Sequence, residues 1–339
     1  MCICAIAHAQ IYQYEDCDTN GTLVLTKLNA VPGVNLRGMY LGCARLEYAE
    51  LNGANLEKAI LTDAHLEHAQ LTDNAKLFQA NLSGARLPFA QLTNADLYAA
   101  DLSFADLTSA TCENATFVFT DLSHATLDNT CLKGVDLRVA FLRSATLTNA
   151  DLTGATLENA DLLNTNFSGA TLAFTNFTNA LVLGSYLSDT DCQGAVFRGA
   201  ILTGAVLDHA HLVGADLSDS SLYYADLSGA NLTAANLSGA DLRGVDLTNA
   251  NLLFADLSNV ESGGILGEPQ ALPANWDLIN GFLVNIDLDE DGCVNGSDLS
   301  ELLSAWGTCN TCSSDFDQNG VIDGYDLGVM LKAWSCGSS

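Results

Sequence analysis

The chain has 339 residues, of which 48% are hydrophobic, and it carries a formal net charge of −29 with a pI near 4.1. This length is typical of two or three domains. So large a negative charge disfavours nucleic-acid and anionic-membrane partners and favours cations. No stretch approaches the roughly 18 consecutive apolar residues of a membrane-spanning helix.

The N-terminus, MCICAIAHAQIYQY, combines an apolar run with a small-x-small motif at Ala7-His8-Ala9. Such a motif is typical of signal-peptide cleavage sites, but a complete signal peptide also has a positive start and a longer apolar core. Residues 1–9 are therefore interpreted as a signal peptide truncated by a wrongly chosen start codon. An ordinary apolar segment is the alternative. Residues 10–35 are predicted to form an N-terminal cap.

A repeat of five residues runs from Leu36 to Leu257, with one extra residue in TDNAK (72–76). Of the 45 repeats, 38 have leucine at the central position, which shows how strictly the period is kept. A period of five fits neither an α-helix nor a long strand. Residues two apart on an extended chain point the same way, so the alanine and leucine of each repeat face inward. The Asp or Asn between them faces outward, and the next two residues turn the chain.

Four such sides close a coil of about twenty residues, and stacked coils pair their backbones at about 4.8 Å. Residues 36–257 are therefore predicted to form an all-β solenoid, a rod of about 50–55 Å. Runs such as ADLSGANLTAANLSGADLRGVDL (225–247) resemble the pentapeptide-repeat proteins. The resemblance implies a right-handed quadrilateral β-helix. It implies little about activity, because a repeat specifies architecture.

Some cytoplasmic members of that family are acidic rods that imitate DNA and engage topoisomerases. Here the outward aspartates are spread over all four faces, and arginines such as Arg138 and Arg243 interrupt them. DNA mimicry is therefore kept only as a remote alternative. Four histidines occupy outward repeat positions and are interpreted as surface substitutions rather than metal or acid–base groups: His65, His68, His209 and His211.

Two irregular segments interrupt or follow the repeats. The insertion at 72–76 is predicted to push out one corner, as a tolerated bulge or alternatively as a contact loop. Residues 258–286 break the repeat and are predicted to be a C-terminal cap and linker that covers the open end of the coil stack.

The acidic tail contains DLDEDGCVNGSD (287–298) and, twenty-eight residues later, DFDQNGVIDGYD (315–326). Both match a twelve-residue calcium loop, with side-chain oxygens at positions 1, 3, 5, 9 and 12, a backbone carbonyl at 7 and glycine at 6. The predicted ligands of two Ca²⁺ ions are Asp287, Asp289, Asp291, Cys293, Asn295 and Asp298 in the first loop, and Asp315, Asp317, Asn319, Val321, Asp323 and Asp326 in the second. Two matches in tandem favour calcium over solvated acidic turns.

A stretch with helical spacing follows each loop, LSELLSAW (299–306) and LGVMLKAW (327–334), and none precedes either loop. Residues 287–336 thus resemble the dockerin module, and the domain is predicted to span 287–339. The resemblance implies a small α-helical, EF-hand-type calcium module that binds a cohesin-like protein or a cell-surface scaffold. Positions 10 and 11, often Ser-Thr in dockerins, are Gly296-Ser297 and Gly324-Tyr325, so a standard cohesin partner is not implied.

Eleven cysteines are many for a reducing compartment. Cys112 and Cys192 replace the central leucine of a repeat and are predicted to be buried. Cys293, Cys309, Cys312 and Cys336 allow three full pairings, among which the sequence does not choose. Cys309-x-x-Cys312 leaves zinc or redox chemistry as an alternative.

These features together predict a secreted, non-enzymatic structural or adhesive rod with a calcium-binding docking module, outside or on the surface of a bacterial cell. The alternative is a dockerin-bearing component of an extracellular polysaccharide-degrading system. Hydrolysis of that kind needs two positioned carboxylates beside a cleft. No catalytic residue is assigned, because the acids of the rod lie in repeat register on a convex surface.

Overall fold

The computed structural model describes residues 9–14, 23–309 and 312–335. The predicted leader therefore lies outside the described residues except for its last position. An antiparallel pair precedes the rod, formed by β1 (Ala9–Tyr14) and β2 (Leu23–Ala30). The segment predicted as an N-terminal cap thus contains a strand pair that leads directly into the first coil.

The rod is a stack of four-sided coils. Outside the 72–76 insertion, each outward residue pairs in parallel with the residue twenty positions later, as Asp101 pairs with Asp121. Four repeats complete one coil, so these pairs form four ladders along the rod. Leucine N–H groups also reach the next coil, as when Leu102 donates to the carbonyl of Asp121 at 2.7 Å. The predicted β-solenoid is confirmed, and its right-handedness stays a prediction.

Corners that carry an outward Asp or Asn are typically closed by two hydrogen bonds. In a typical repeat, Ala105 N–H donates to the carbonyl of Leu102 at 3.0 Å, and Ser103 N–H donates to Oδ1 of Asp101 at 3.0 Å. The residue between them, Phe104, has a φ of 60°. Type II turns need positive φ at this position, which explains why Gly and Asn are frequent there. The outward Asp or Asn is selected because its side chain satisfies a turn N–H.

The interior of the rod is one continuous apolar core. The inward alanines and leucines are almost completely buried, and this core extends to Leu283. Phenylalanines fill several leucine positions, and Phe177 stacks on Phe197 with ring centroids 4.7 Å apart. Where the alanine is replaced by threonine, as at Thr120, the buried hydroxyl donates to a backbone carbonyl, that of Leu97 at 2.8 Å.

The extra residue of the 72–76 insertion is accommodated at a corner. Asp73 and Asn74 both adopt positive φ, 56° and 61°. The ladder offset becomes 21 residues for four successive pairs, beginning with Asn55 and Lys76, and then returns to twenty. The insertion therefore changes one corner and leaves the stacking of later coils intact.

Backbone pairing continues beyond Leu257, the predicted end of the rod. Glu261, Leu266 and Ala271 pair with residues twenty positions earlier. Ile265 is 7% exposed and joins the same core, so an isoleucine continues the apolar interior where the repeat pattern is lost.

The segment after the last coil is a hairpin of β3 (Trp276–Ile279) and β4 (Phe282–Asn285) with two apolar faces. Leu278 and Leu283 pack on the rod core. Ile279 and Val284 belong to a second core shared with the tail. Alternate residues of a strand point to opposite faces, so one hairpin serves both cores. The segment predicted as a cap and linker thus packs against both the rod core and the tail core.

The tail consists of α1 (Gly296–Ser304), β5 (Gly307–Thr308), β6 (Val321–Ile322) and α2 (Gly324–Lys332). The two short helices lie where helical spacing was predicted, and β5 pairs antiparallel with β6. Phe316, Leu302 and Met330 form the centre of the second core. None of the helices in the described residues is long and apolar enough to cross a membrane.

Candidate metal centre in the duplicated loops

Each acidic loop ends at the N-cap of a helix. Asn295 caps α1 and Asp323 caps α2, and the third helical residue completes a capping box through Asp298 or Asp326. An N-cap side chain accepts a backbone N–H that would otherwise lack a partner. The sequence therefore fixes both the start of each helix and the end of each loop.

The residues at position 12, Asp298 and Asp326, are completely buried and bind the loop backbone. Leu288 N–H donates to Oδ1 of Asp298 at 2.7 Å, and Phe316 N–H donates to Oδ1 of Asp326 at 2.7 Å. The second oxygen of each accepts the N–H of its own N-cap residue. The two loops thus repeat the same hydrogen bonds.

Position 1 follows the same rule. Oδ2 of Asp287 accepts Gly292 N–H at 2.8 Å, and Oδ2 of Asp315 accepts Gly320 N–H at 2.8 Å. The two glycines have φ of 91° and 86°, values that L side chains rarely adopt. Glycine at position 6 therefore lets each loop turn back onto its first aspartate.

The loops bring carboxylates together at two places. Oxygens of Asp287, Asp289 and Asp291 lie within 4.8 Å of one another, and so do those of Asp315, Asp317 and Asp326. Asp287 is 4% exposed, and its Oδ1 is buried without a hydrogen-bond partner. A buried, unpaired carboxylate oxygen is costly unless a cation or donor meets it. The arrangement therefore fits a hard cation at the first loop.

Burial and neighbouring negative charges shift the pKa of one carboxyl in the first loop. Desolvation raises the pKa of the Asp289 carboxyl, and the charges of Asp291, Asp298 and Asp287 raise it further, against a backbone hydrogen bond that lowers it. Neighbouring carboxylates disfavour one another's ionised form. A divalent cation would relieve this repulsion.

The other predicted ligands line the same loops. Asn295 donates to the carbonyl of Cys293 at 3.3 Å, and Asn319 donates to Oδ2 of Asp317 at 2.9 Å. Asp323 accepts Tyr325 N–H, while Val321 lies in β6. Asp298 lies outside the cluster of the first three aspartates. Its role as a calcium ligand stays a prediction.

A third cluster, which sequence reasoning did not single out, combines Glu47, His65 and Glu67 on neighbouring coils. Arg45 pairs with Glu47 at 2.7 Å, and Arg86 pairs with Glu67 at 3.0 Å. Two arginines neutralise the two carboxylates, so the cluster is an ion-pair network on the rod surface. The twenty-residue period could have predicted it, since residues twenty apart share a face.

The cysteines that the structure describes are either free or disulfide-bonded. Cys112 and Cys192 are fully buried free thiols, as predicted. Cys309 forms a disulfide with Cys312, which removes these thiols from zinc binding. Cys43 and Cys293 are also disulfide-bonded. The sequence could not choose this pairing because all four tail cysteines are close together along the chain.

Comparison with known proteins identifies the rod. The family model of pentapeptide repeats matches with eight copies at residues 40–73, 75–111, 100–138, 145–181, 184–223 and 225–260. These ranges cover well over half of the chain and none of the acidic tail. No curated protein matches the chain.

Solved structures of pentapeptide repeat proteins match part of the chain. HetL, a pentapeptide repeat protein involved in heterocyst differentiation regulation from the cyanobacterium Nostoc, is 34% identical over 57% of this chain and 89% of its own, with a TM-score of 0.30. The full-length fluoroquinolone resistance protein QnrB1 is 19% identical over 55% of this chain and 85% of its own, with a TM-score of 0.27. By its repeat and the match to the family model, the chain belongs to the pentapeptide-repeat family.

Proposed function

We propose that this protein is a non-enzymatic extracellular rod of a bacterium whose C-terminal module binds two Ca²⁺ ions and docks it to a protein partner, a cohesin-like domain or a cell-surface scaffold. The rod supplies length, and the module supplies attachment. The observation that carries the proposal is the buried, unpaired Oδ1 of Asp287 inside a cluster of three carboxylates. A solvated acidic turn would not bury that atom.

The second loop supports a second ion. It repeats the buried position-12 aspartate, the glycine turn and the helix cap of the first loop at the same spacing. Bound calcium would neutralise the carboxylates of Asp315, Asp317 and Asp326 and so permit them to remain close together. We therefore expect both loops to be ordered most firmly when calcium is bound.

A protein partner is favoured by apolar side chains on the ends of the two helices. Leu303 lies in the last turn of α1 and Trp306 just after it, and they are 50% and 48% exposed. Their counterparts at α2, Leu331 and Trp334, are 52% and 39% exposed. Exposed aromatic residues are enriched where proteins bind one another. The same pair of side chains occurs twice because the module is duplicated.

Disulfides support an oxidising location. The Cys309–Cys312 bond and the bonded states of Cys43 and Cys293 are typical of secreted proteins rather than cytosolic ones. This is also the setting in which millimolar calcium keeps low-affinity loops occupied.

Calorimetric titration of the full chain with calcium tests the proposal. We expect two binding events, of which Asp287→Asn removes one and Asp315→Asn the other. Asp121→Asn, a change on an outward rod position, serves as the matched control. Absence of calcium heat at millimolar concentration would refute the proposal. Release of reducing ends from a polysaccharide panel would instead support a degrading enzyme.

A further inference from the structure

A crevice of about 620 Å³ lies where the last regular coil, the cap and the first acidic loop meet. The rod contributes Phe254 and Asn259, and β3 contributes Trp276. Asn285 of β4 and Glu290 of the loop form the opposite wall. Three successive parts of the chain, within residues 254–292, therefore build one concave surface.

Phe254 is the last residue in a row of corner residues that are stacked, one per coil, along the rod. In other coils such a ring can lie over a glycine of the next coil: a Cβ on Gly194 would lie 2.8 Å from the ring of Phe174. The coil above Phe254 ends at Ala271, before it can cover the ring. Phe254 is 73% exposed, more than any other large apolar side chain in the described part of the chain.

The polar side chains around this ring have donors and acceptors that are not used in hydrogen bonds within the protein. Among residues 30–309 and 312–335, the exposed Asn259 side chain makes no hydrogen bond to the protein. The Oδ1 of Asn285 accepts Asp287 N–H at 3.2 Å, which leaves its amide N–H₂ group for other partners. Asn amides can donate and accept at once. Glu290 adds an exposed acceptor at the rim.

An open ring beside paired donors and acceptors matches the chemistry of a sugar. A pyranose ring presents an apolar C–H face that packs on an aromatic side chain, and its hydroxyls both donate and accept hydrogen bonds. The net charge of −29 repels anionic sugars and nucleotides. We propose that the crevice binds a neutral glycan, with the calcium-loaded first loop as one wall. The role of that wall rests on the proposed function.

Trp276 provides a direct readout, because the chain has three tryptophans and the other two are Trp306 and Trp334. In the full chain with Trp306→Phe and Trp334→Phe, Trp276 is the only remaining tryptophan, so the fluorescence signal comes from the crevice. The probes are cellohexaose, xylohexaose and mannohexaose, each titrated in calcium and in EGTA. We expect a saturable fluorescence change with at least one probe, with tighter binding in calcium.

Phe254→Ala should weaken this binding by about tenfold, the cost of losing a stacked aromatic contact. Phe104→Ala, which removes a corner ring that is 65% exposed and outside the crevice, should leave it unchanged. Calcium heat is measured on the same samples. Normal calcium heat without a response to any probe overturns the glycan site alone. Equal glycan affinity in calcium and EGTA overturns the role of the loop, and unchanged affinity in Phe254→Ala overturns the placement.

Discussion

Asn275, just before β3, donates from Nδ2 to Oδ2 of Asp287 at 3.0 Å, and its carbonyl accepts Ile286 N–H at 2.8 Å. The first residue of the first acidic loop is thus held from the end of the rod. The partner that orients a metal-binding carboxylate usually matters to affinity nearly as much as the carboxylate itself.

Asn275→Ala should therefore weaken calcium binding at the first loop by about tenfold, because the Asp287 carboxylate loses a donor that orients it. The second loop has its own contacts and serves as the internal control in the same calorimetric titration. Equal weakening of both events would contradict this account.

Asp298→Ala should destabilise the tail by about 1–3 kcal/mol, because the partly buried backbone N–H groups of Leu288 and Asn295 lose their acceptor. Urea unfolding in EGTA, followed by tryptophan fluorescence, measures the change. Glu301→Ala, on the exposed side of α1, is the matched control and should leave the midpoint unchanged. An unaltered midpoint in Asp298→Ala would show that the capping box contributes little.

Leu152→Ala should lower the stability of the rod by about 2–5 kcal/mol, since this leucine is completely buried and a cavity would remain. Leu183→Ala removes a leucine that is 39% exposed and should cost about 0.5 kcal/mol or less. Circular dichroism during thermal unfolding compares the two midpoints. Equal shifts would mean that the interior is not closely packed.

Deletion of Asn74 should leave the rod folded, because it restores the twenty-residue period at the corner where Asp73 and Asn74 both have positive φ. We expect the β-rich circular dichroism spectrum to be retained and the unfolding midpoint to change by a few degrees at most. Deletion of Asn129, a corner residue in a regular coil, is the matched control and should disrupt stacking. Loss of the fold on deleting Asn74 would make the insertion a structural requirement.

The free cysteines should label in a defined order. Burial raises the pKa of the Cys192 thiol to about 12 and raises the pKa of Cys112 even further. Burial and, next, the hydrogen-bonded Glu113 raise the pKa of the half-exposed Cys131. Only the thiolate reacts, so alkylation of Cys131 should accelerate from pH 7 to pH 9. Mass spectrometry of peptides should find Cys112 and Cys192 modified only after denaturation.

The rod was predictable because its signal is redundant. Any one repeat is a weak pattern, but leucine recurring every fifth residue from Leu77 to Leu257 admits few folds. The end of the rod was harder to predict. Pairing continues to Ala271 through backbone hydrogen bonds, which carry no side-chain signature.

The conformation of the loops was predictable only in part. Spacing of aspartates around Gly292 and Gly320 is local, and three carboxylates of each loop lie within 4.8 Å of one another, but Asp298 and Asp323 lie outside these clusters. Contacts from outside the loop were not predictable. Asn275 contacts Asp287 across a hairpin whose two faces are both apolar. A strand that packs on both sides lacks the alternation of polar and apolar residues by which a strand is predicted from sequence.

That hairpin has a mechanical consequence. Leu283 is fixed in the rod core and its neighbour Val284 in the tail core, so the junction cannot bend without opening one of the two. A force applied to the tail is therefore transmitted to the last coil through the paired strands of the hairpin, without an intervening flexible linker. Attachment of the tail to a partner would therefore also fix the orientation of the rod relative to that partner.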